Sequence, residues 1–302
     1  MRRILLLLFY LGGLLVSTSP AQKPLVVASI FPLAEIAREV GGEAIEVRLL
    51  LPPGADPHSW EPTPKDLLTL RRADLLLAVG GGLEPWLEDL LAGLKNRNLK
   101  IVLALDDGNL SPHKQGHDPE KDPHVWLDFP KDASLCLRLA ETLGEICPAK
   151  VLYFRERGRL AAQRFKELDL LFARTLETCR YRTVPLAGHD AFHAWEENYG
   201  LDFITLAGRS PEAEPTPQAL RKMIIFLRKT GLKAVYYDEP QALRFAKLIA
   251  RETGAKIYYL NPGATLTREE LRQEVSFFSL MRRNLRNLSL GLRCNLVKAG
   301  QN

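Results

Sequence analysis

Residues 151–179 read VLYFRERGRLAAQRFKELDLLFARTLETC, and the helical pattern holds across all 29 of them. At a rise of 1.5 Å per residue such a run is roughly 43 Å long. A helix of that length is a candidate connecting rod, so the fold is decided by what lies on either side of it. Upstream, PLVVASI (24–30) reads as a buried strand, PLAEIAREVGG as a helix closing at a glycine, and IEVRLLL as a second strand. DLLLAVGG and KIVLALDD (100–107) are further strands, separated by the amphipathic KDLLTLRRA and a helix from Glu84 onward. From Lys131 to Thr178 the pattern is helical, broken once at Cys147-Pro148. Downstream the alternation begins again: RTVPLAG, DFITLAG, KAVYYDEP and KIYYL read as strands, and AFHAWEENYG, PQALRKMIIFLRKTG and QALRFAKLIARETG as the helices between them.

Strands that alternate with helices, without hairpin signals, form parallel sheets covered on both faces. The expectation is an α/β fold of two lobes, each a mainly parallel sheet flanked by helices, joined by one long connecting helix. The boundaries fall at 22–148 for the first lobe, 149–179 for the connecting helix and 180–302 for the second lobe. Two such lobes leave a cleft at the carboxyl ends of their strands, where ligands of open α/β sheets bind.

Residues 1–21, MRRILLLLFYLGGLLVSTSPA, stand apart. Arg2 and Arg3 precede an apolar core from Ile4 to Val16, and Ser19 and Ala21 fit a cleavage site, so the stretch reads as a removable signal peptide. The apolar run is short for a membrane span of about 20 residues. With no cysteine near residue 21, the expectation is a soluble, periplasmic mature chain with no lipoprotein cysteine. Of the 302 residues, 46% are hydrophobic and 25% charged, an ordinary balance for a folded protein. The net charge of +5 includes the leader and a basic end around Arg282, Arg283, Arg286, Arg293 and Lys298, read as a solvated helix face. No basic stripe interleaved with aromatics runs through the body of the chain, so nucleic acid is not expected as a partner. Four cysteines allow three pairings. Cys136 and Cys147, on one helix, would lie about 16 Å apart, too far for a bond. Cys179 with Cys294 is a candidate disulfide, and the pairing stays open.

Three of the six histidines occupy comparable places. His58 follows IEVRLLL in ADPHSW, His124 closes a loop in DPHVWLD, and His189 follows VPLAG in GHDAF. Each stands at a strand exit or loop end that faces the expected cleft, and the D-P-H context repeats at 56–58 and 122–124. Three imidazoles meeting at one point suit zinc, whereas carboxylates and carbonyls suit manganese, magnesium or calcium.

The blocks PPGADPHSWEPTPKDLLTLRRADLLLAVGGGLEPWLEDLL (52–91), DPHVWLDFP (122–130), GHDAFHAWEENYGL (188–201), EAEPTPQAL (212–220) and YYDEPQALRFAKLIARETGAKIYYLNPGA (236–264), with MRRNLRNLSLGL (281–292) near the end, resemble in order the signatures of the metal-binding solute receptors of ABC importers, the zinc/manganese cluster. The resemblance covers nearly the whole mature chain. It implies a pair of α/β lobes with the metal in the cleft, a monomeric receptor, and delivery of Zn²⁺ to an ABC permease and its ATPase. It carries ligand positions onto His58, His124 and His189, and His rather than Glu at the third favours zinc over manganese. The fourth position, often an Asp in relatives, falls here on Asn261; Asp56, Glu61, Asp238, Glu239 or water are the alternatives for the missing carboxylate. His113 and His117 lie in a Pro-, His- and Asp-rich segment that resembles a shortened form of a metal-gathering loop. Surface adhesion is a further role that the resemblance carries for some relatives.

His193 follows His189 by four residues, a spacing that also occurs in zinc peptidase helices. A zinc-dependent hydrolase would need a general base beside the first histidine and one helix carrying both ligands. Asp190 is one methylene shorter than the glutamate of that motif, and Gly188 places the helix start after His189. HDAFH is therefore read as one ligand followed by a helix. His193 has three open roles, partner of a ligand, alternative ligand or solvated helix residue, of which the last is preferred. Manganese or iron uptake remains the alternative within the same family, and a hydrolase the alternative from another class.

Overall fold

A computed structural model describes residues 22–94, 96, 98–105, 122–208 and 214–295. The chain begins with β1 (Leu25–Ala28), α1 (Phe31–Gly41), β2 (Glu46–Leu49), α2 (Pro64–Leu70), β3 (Leu75–Ala78), α3 (Leu87–Gly93) and β4 (Lys100–Leu103). Two long helices follow, α4 (Phe129–Ile146) and α5 (Val151–Glu177). The second half is β5 (Thr183–Leu186), α6 (His193–Tyr199), β6 (Asp202–Thr205), α7 (Pro217–Thr230), β7 (Ala234–Tyr237), α8 (Leu243–Thr253), β8 (Lys256–Tyr259), α9 (Arg268–Arg272) and α10 (Phe277–Leu292).

The strands form two four-stranded sheets in the orders β2-β1-β3-β4 and β6-β5-β7-β8, and every neighbouring pair is parallel. Composition sets which strands are central. LVVA of β1 and LLLA of β3 are apolar without alternation, as strands covered on both faces must be. EVRL of β2 alternates exposed and half-buried positions, as befits an edge. In each sheet the chain leaves a central strand for one edge and returns on the other side of it. That reversal puts the switch point between β1 and β3 in one sheet and between β5 and β7 in the other, where loops diverge and leave room for a ligand.

The 27 residues of α5 span about 40 Å. Its buried stripe, Phe154, Gly158, Ala161, Ala162, Phe165, Leu168, Phe172 and Leu176, keeps helical spacing and faces both lobes. Phe172 meets Phe129 of α4 and Trp195 of α6, while Phe165 meets Phe277 and Phe278 of α10. Gly158 lets α4 come close, since a Cβ there would stand 2.6 Å from that of Ala140. One continuous core therefore runs from the first sheet through α5 into the second, and a smaller one lies between the first sheet and α2 and α3. Sliding one lobe against the other would break this packing, so the fold resists large hinge motion.

The segment from Leu260 to Thr267 fastens the lobes a second time. Phe31 N–H donates to Ala264 O (3.1 Å), Gly54 N–H to Thr265 Oγ1 (3.0 Å) and Trp126 Nε1 to Pro262 O (2.7 Å). Of the basic end, Arg282 and Arg286 are exposed on α10 opposite the buried Phe277, Leu280, Met281, Leu285 and Leu288, whereas Arg283 is half-buried and paired with Glu270, and Lys298 lies outside the described residues. Cys179 is bonded to Cys294, joining the end of α5 to the residues after α10, while Cys136 and Cys147 are free. No helix among the described residues is long and apolar enough to cross a membrane.

Candidate metal centre

His58 lies in the turn between β2 and α2, His124 heads the short helical turn Val125–Leu127, and His189 follows β5. Their ring centroids are 5.3 Å (His58 to His124), 5.4 Å (His124 to His189) and 6.1 Å (His58 to His189) apart. One ring nitrogen from each lies within 4.8 Å of the other two, close enough for a single ion to bridge all three.

Carboxylates decide which nitrogen is offered. Asp238, one residue past β7, brings Oδ2 to 2.7 Å from Nδ1 of His189 and accepts the His189 backbone N–H at 3.0 Å. Asp122 does the same for His124, with Oδ1 2.7 Å from Nδ1 and 3.1 Å from the backbone N. A protonated Nδ1 held in this way leaves Nε2 with a free lone pair, the arrangement that orients metal-binding imidazoles. Nε2 of His124 is buried and has no hydrogen-bond partner among the described residues, a costly state for a polar atom unless something takes its lone pair. Gly188 is required here by space, because a Cβ at that position would overlap the Asp238 carboxylate.

Electrostatics divide the triad. Burial and then the neighbouring His124 lower the His58 imidazole to about 4. Burial also works to lower His189, but the Asp238 carboxylate at Nδ1, with Glu239 and Asp56 beyond it, outweighs burial and holds that imidazole above its ordinary value. Glu239, whose Oε1 is 4.0 Å from Nδ1 of His189, is pushed up to about 7 by burial and by Asp238. Asp56, His189, Asp238 and Glu239 share a cavity of about 260 Å³.

The structure brings His58, His124 and His189 together, and treats the remaining candidates differently. Asn261 is buried in the interlobe segment, with Oδ1 accepting Gly263 N–H at 2.8 Å and its backbone paired with the Asn284 side chain. Asp238 partners His189. His193 opens α6, so it shares no helix with His189, and its ring is bracketed by Glu196 (3.0 Å) and Glu197 (3.3 Å). His113 and His117 fall outside the described residues. Asp122 is the residue that sequence reasoning passes over. The repeated D-P-H was the available signal, because in both copies the Asp Oδ1 accepts the backbone N–H of the His two residues on, at 2.9 Å for His58 and 3.1 Å for His124.

The family model for the zinc-uptake complex component A periplasmic, ZnuA, matches residues 26–291. The zinc-binding lipoprotein AdcA of Streptococcus pneumoniae is 28% identical over 304 residues, covering 95% of this chain and 60% of that protein. The chain thus spans about 60% of the length of this relative. Among solved structures, the Zn(II)-bound ZnuA-like domain of Streptococcus pneumoniae AdcA superposes with a TM-score of 0.77 at 27% identity, over 89% of this chain and 99% of that one. The metal-dependent lipoprotein YcdH from Bacillus subtilis superposes with a TM-score of 0.78 at 26% identity, over 91% of this chain and 100% of that one. These relatives overturn the expectation of no lipoprotein cysteine, since AdcA and YcdH are both named lipoproteins, while the periplasmic expectation is consistent with the family model's description. That expectation leaned on the lack of a cysteine near residue 21, and a missing residue says nothing about how such receptors are held.

Proposed function

The chain belongs to the zinc-uptake complex component A family, and from that premise we propose that it is a receptor that captures Zn²⁺ between its lobes and hands it to an ABC-type importer. His58, His124 and His189 are the ligands in this reading. The observation that carries it is the convergence of three ring nitrogens, brought from both halves of the chain, within 4.8 Å of one another, with Nε2 of His124 buried and without a hydrogen-bond partner among the described residues. Three borderline-soft nitrogen donors favour zinc over manganese or magnesium. Asp122 and Asp238 keep two of the imidazoles in the tautomer that presents Nε2, so the ion meets ligands already turned towards it.

The importer's permease and ATPase are the partners in this reading, and a single chain is the working unit. The protein acts as a receptor and performs no catalytic step. The continuous core through α5 supports local opening around the histidine loops in place of a wide closure of the lobes. Competitive titration against a zinc chelator, with metal content measured alongside, tests the proposal. One Zn²⁺ per chain bound well below micromolar, and lost in His189→Ala, is the expected result; zinc binding that ignores the substitution contradicts it.

A further inference from the structure

His124 belongs to the first lobe by sequence, yet the short turn behind it is gripped by the second. Trp126, two residues on, donates its indole N–H to Pro262 O at 2.7 Å, in the segment that fastens the lobes. Trp195 of α6 donates its indole N–H to Leu127 O at 3.0 Å. Leu127 N–H in turn donates to His124 O at 3.1 Å, so the turn that carries the ligand is closed on itself and held on both sides by the other lobe. Both indoles are wholly buried. A buried indole N–H that lost its acceptor would leave two polar groups unsatisfied, so these bonds are costly to break.

The placement of the two rings ties them to the metal centre. The Trp126 ring meets the His124 imidazole edge-on, with 5.3 Å between centroids. Trp195 stands six residues after His189, on the helix that His189 leads into, and packs on Phe192 and on Phe172 of α5. One end of Trp195 is therefore set by the chain that carries His189, and the other grips the turn that carries His124. Trp60, two residues after His58, differs: it meets Trp86 edge-on at 5.6 Å, inside the first lobe.

Resting on the receptor reading, we propose that Trp126 and Trp195 are positioning residues for zinc. Their indole N–H bonds across the lobe boundary hold His124 at its distance from His189, so that these two ligands form a preassembled pair to which His58 is added. Preassembly raises affinity because the turn is ordered during folding and not when the ion arrives.

Trp126→Phe and Trp195→Phe keep an aromatic ring at each position and delete the N–H donor. Zinc affinity is measured on the full chain by chelator competition, at a temperature where circular dichroism shows each variant folded. It is expected to fall at least about threefold in either variant and about tenfold in the pair, the scale of one and two hydrogen bonds. A double-mutant cycle locates the effect: the Trp195→Phe penalty should persist in His58→Ala and vanish in His124→Ala. Variants that melt at a lower temperature but bind zinc as the parent does, or a penalty equal in both histidine backgrounds, overturn the proposal, because either result leaves the indoles a role in stability alone. Hydrogen exchange at the indole N–H groups of the unaltered chain is a second test, independent of any variant. Zinc should slow exchange at Trp126 and Trp195, since binding and positioning favour each other; exchange indifferent to zinc overturns the proposal. His189→Ala separates the two readings. Zinc binding lost in His189→Ala, with unchanged Phe variants, removes the positioning role and leaves the receptor; zinc binding kept in His189→Ala removes the receptor reading itself.

Discussion

His189 and His58 reach one point from two kinds of backbone. His189 leaves the end of β5, and Asp238, which grips its ring, leaves the end of the neighbouring β7, so ligand and partner ride on strands paired with each other. His58 sits in a turn; Asp56 holds its backbone N–H, while its ring makes no hydrogen bond to the described residues. The second lobe delivers a fixed ligand and the first an adjustable one. His124 stands between them, a loop residue whose ring and backbone are both fastened by Asp122. A ring that must be ordered when the ion arrives gives back part of its bond energy as lost rotamer freedom, so the two lobes contribute unequally although the ligands are chemically alike.

The largest expected effects test that inequality. His189→Ala and His124→Ala should each weaken zinc by at least about 100-fold, beyond the range seen when only an outer partner is removed. His58→Ala should cost less than either, and equal losses in a chelator competition would erase the distinction between fixed and adjustable ligands. Asp238→Asn should follow, at about 10- to 100-fold, because the ring keeps its place but loses the acceptor that sets its tautomer. Gly188→Ala should resemble Asp238→Asn in zinc affinity, since the new methyl group displaces the same carboxylate; a Gly188→Ala protein of normal affinity would show that the carboxylate is not needed.

Proton competition sharpens the comparison further. Zinc requires a neutral imidazole, and His189 holds its proton above the ordinary histidine value while His58 gives its proton up until about pH 4. As pH falls, the loss of affinity should therefore begin above about 6.5, set by His189, with His58 silent through the range. Removing the Asp238 charge lets burial act on His189 with less opposition, so Asp238→Asn should shift that onset to lower pH. An onset unmoved by the substitution would place the competing proton elsewhere. The smallest effect belongs to His193. Half exposed and bracketed by Glu196 and Glu197, it should change affinity by no more than about twofold on replacement by Ala, the scale of an ordinary surface substitution.

The same contrast between local and distant partners explains what could be read beforehand. The alternation of strands and helices, the 27-residue α5 and the three histidines at strand or loop ends are local patterns, and periodicity or spacing reveals them directly. The D-P-H pairs were visible too, although the meaning of their aspartates emerges only once the backbone turns are seen. Partners brought together by the sheet were not legible. Asp238 lies 49 residues from His189 and becomes its partner only because β5 and β7 are neighbours. Asn261 reads as a weakened ligand in the sequence, while the fold uses it to anchor a segment that ties the second lobe to Gly54 and Trp126 of the first. The four-residue spacing of His189 and His193 was legible for what it is, because Gly188 already places the helix start after His189 and the helix does begin at His193.

Anomalous diffraction at the zinc edge, from crystals of the zinc-loaded protein, tests the central claim most directly. A single peak at about 2.0–2.1 Å from Nε2 of His124, Nε2 of His189 and one ring nitrogen of His58 is the predicted result. A peak bonded to ligands of one lobe only, or one that excludes any of the three histidines, would contradict the account.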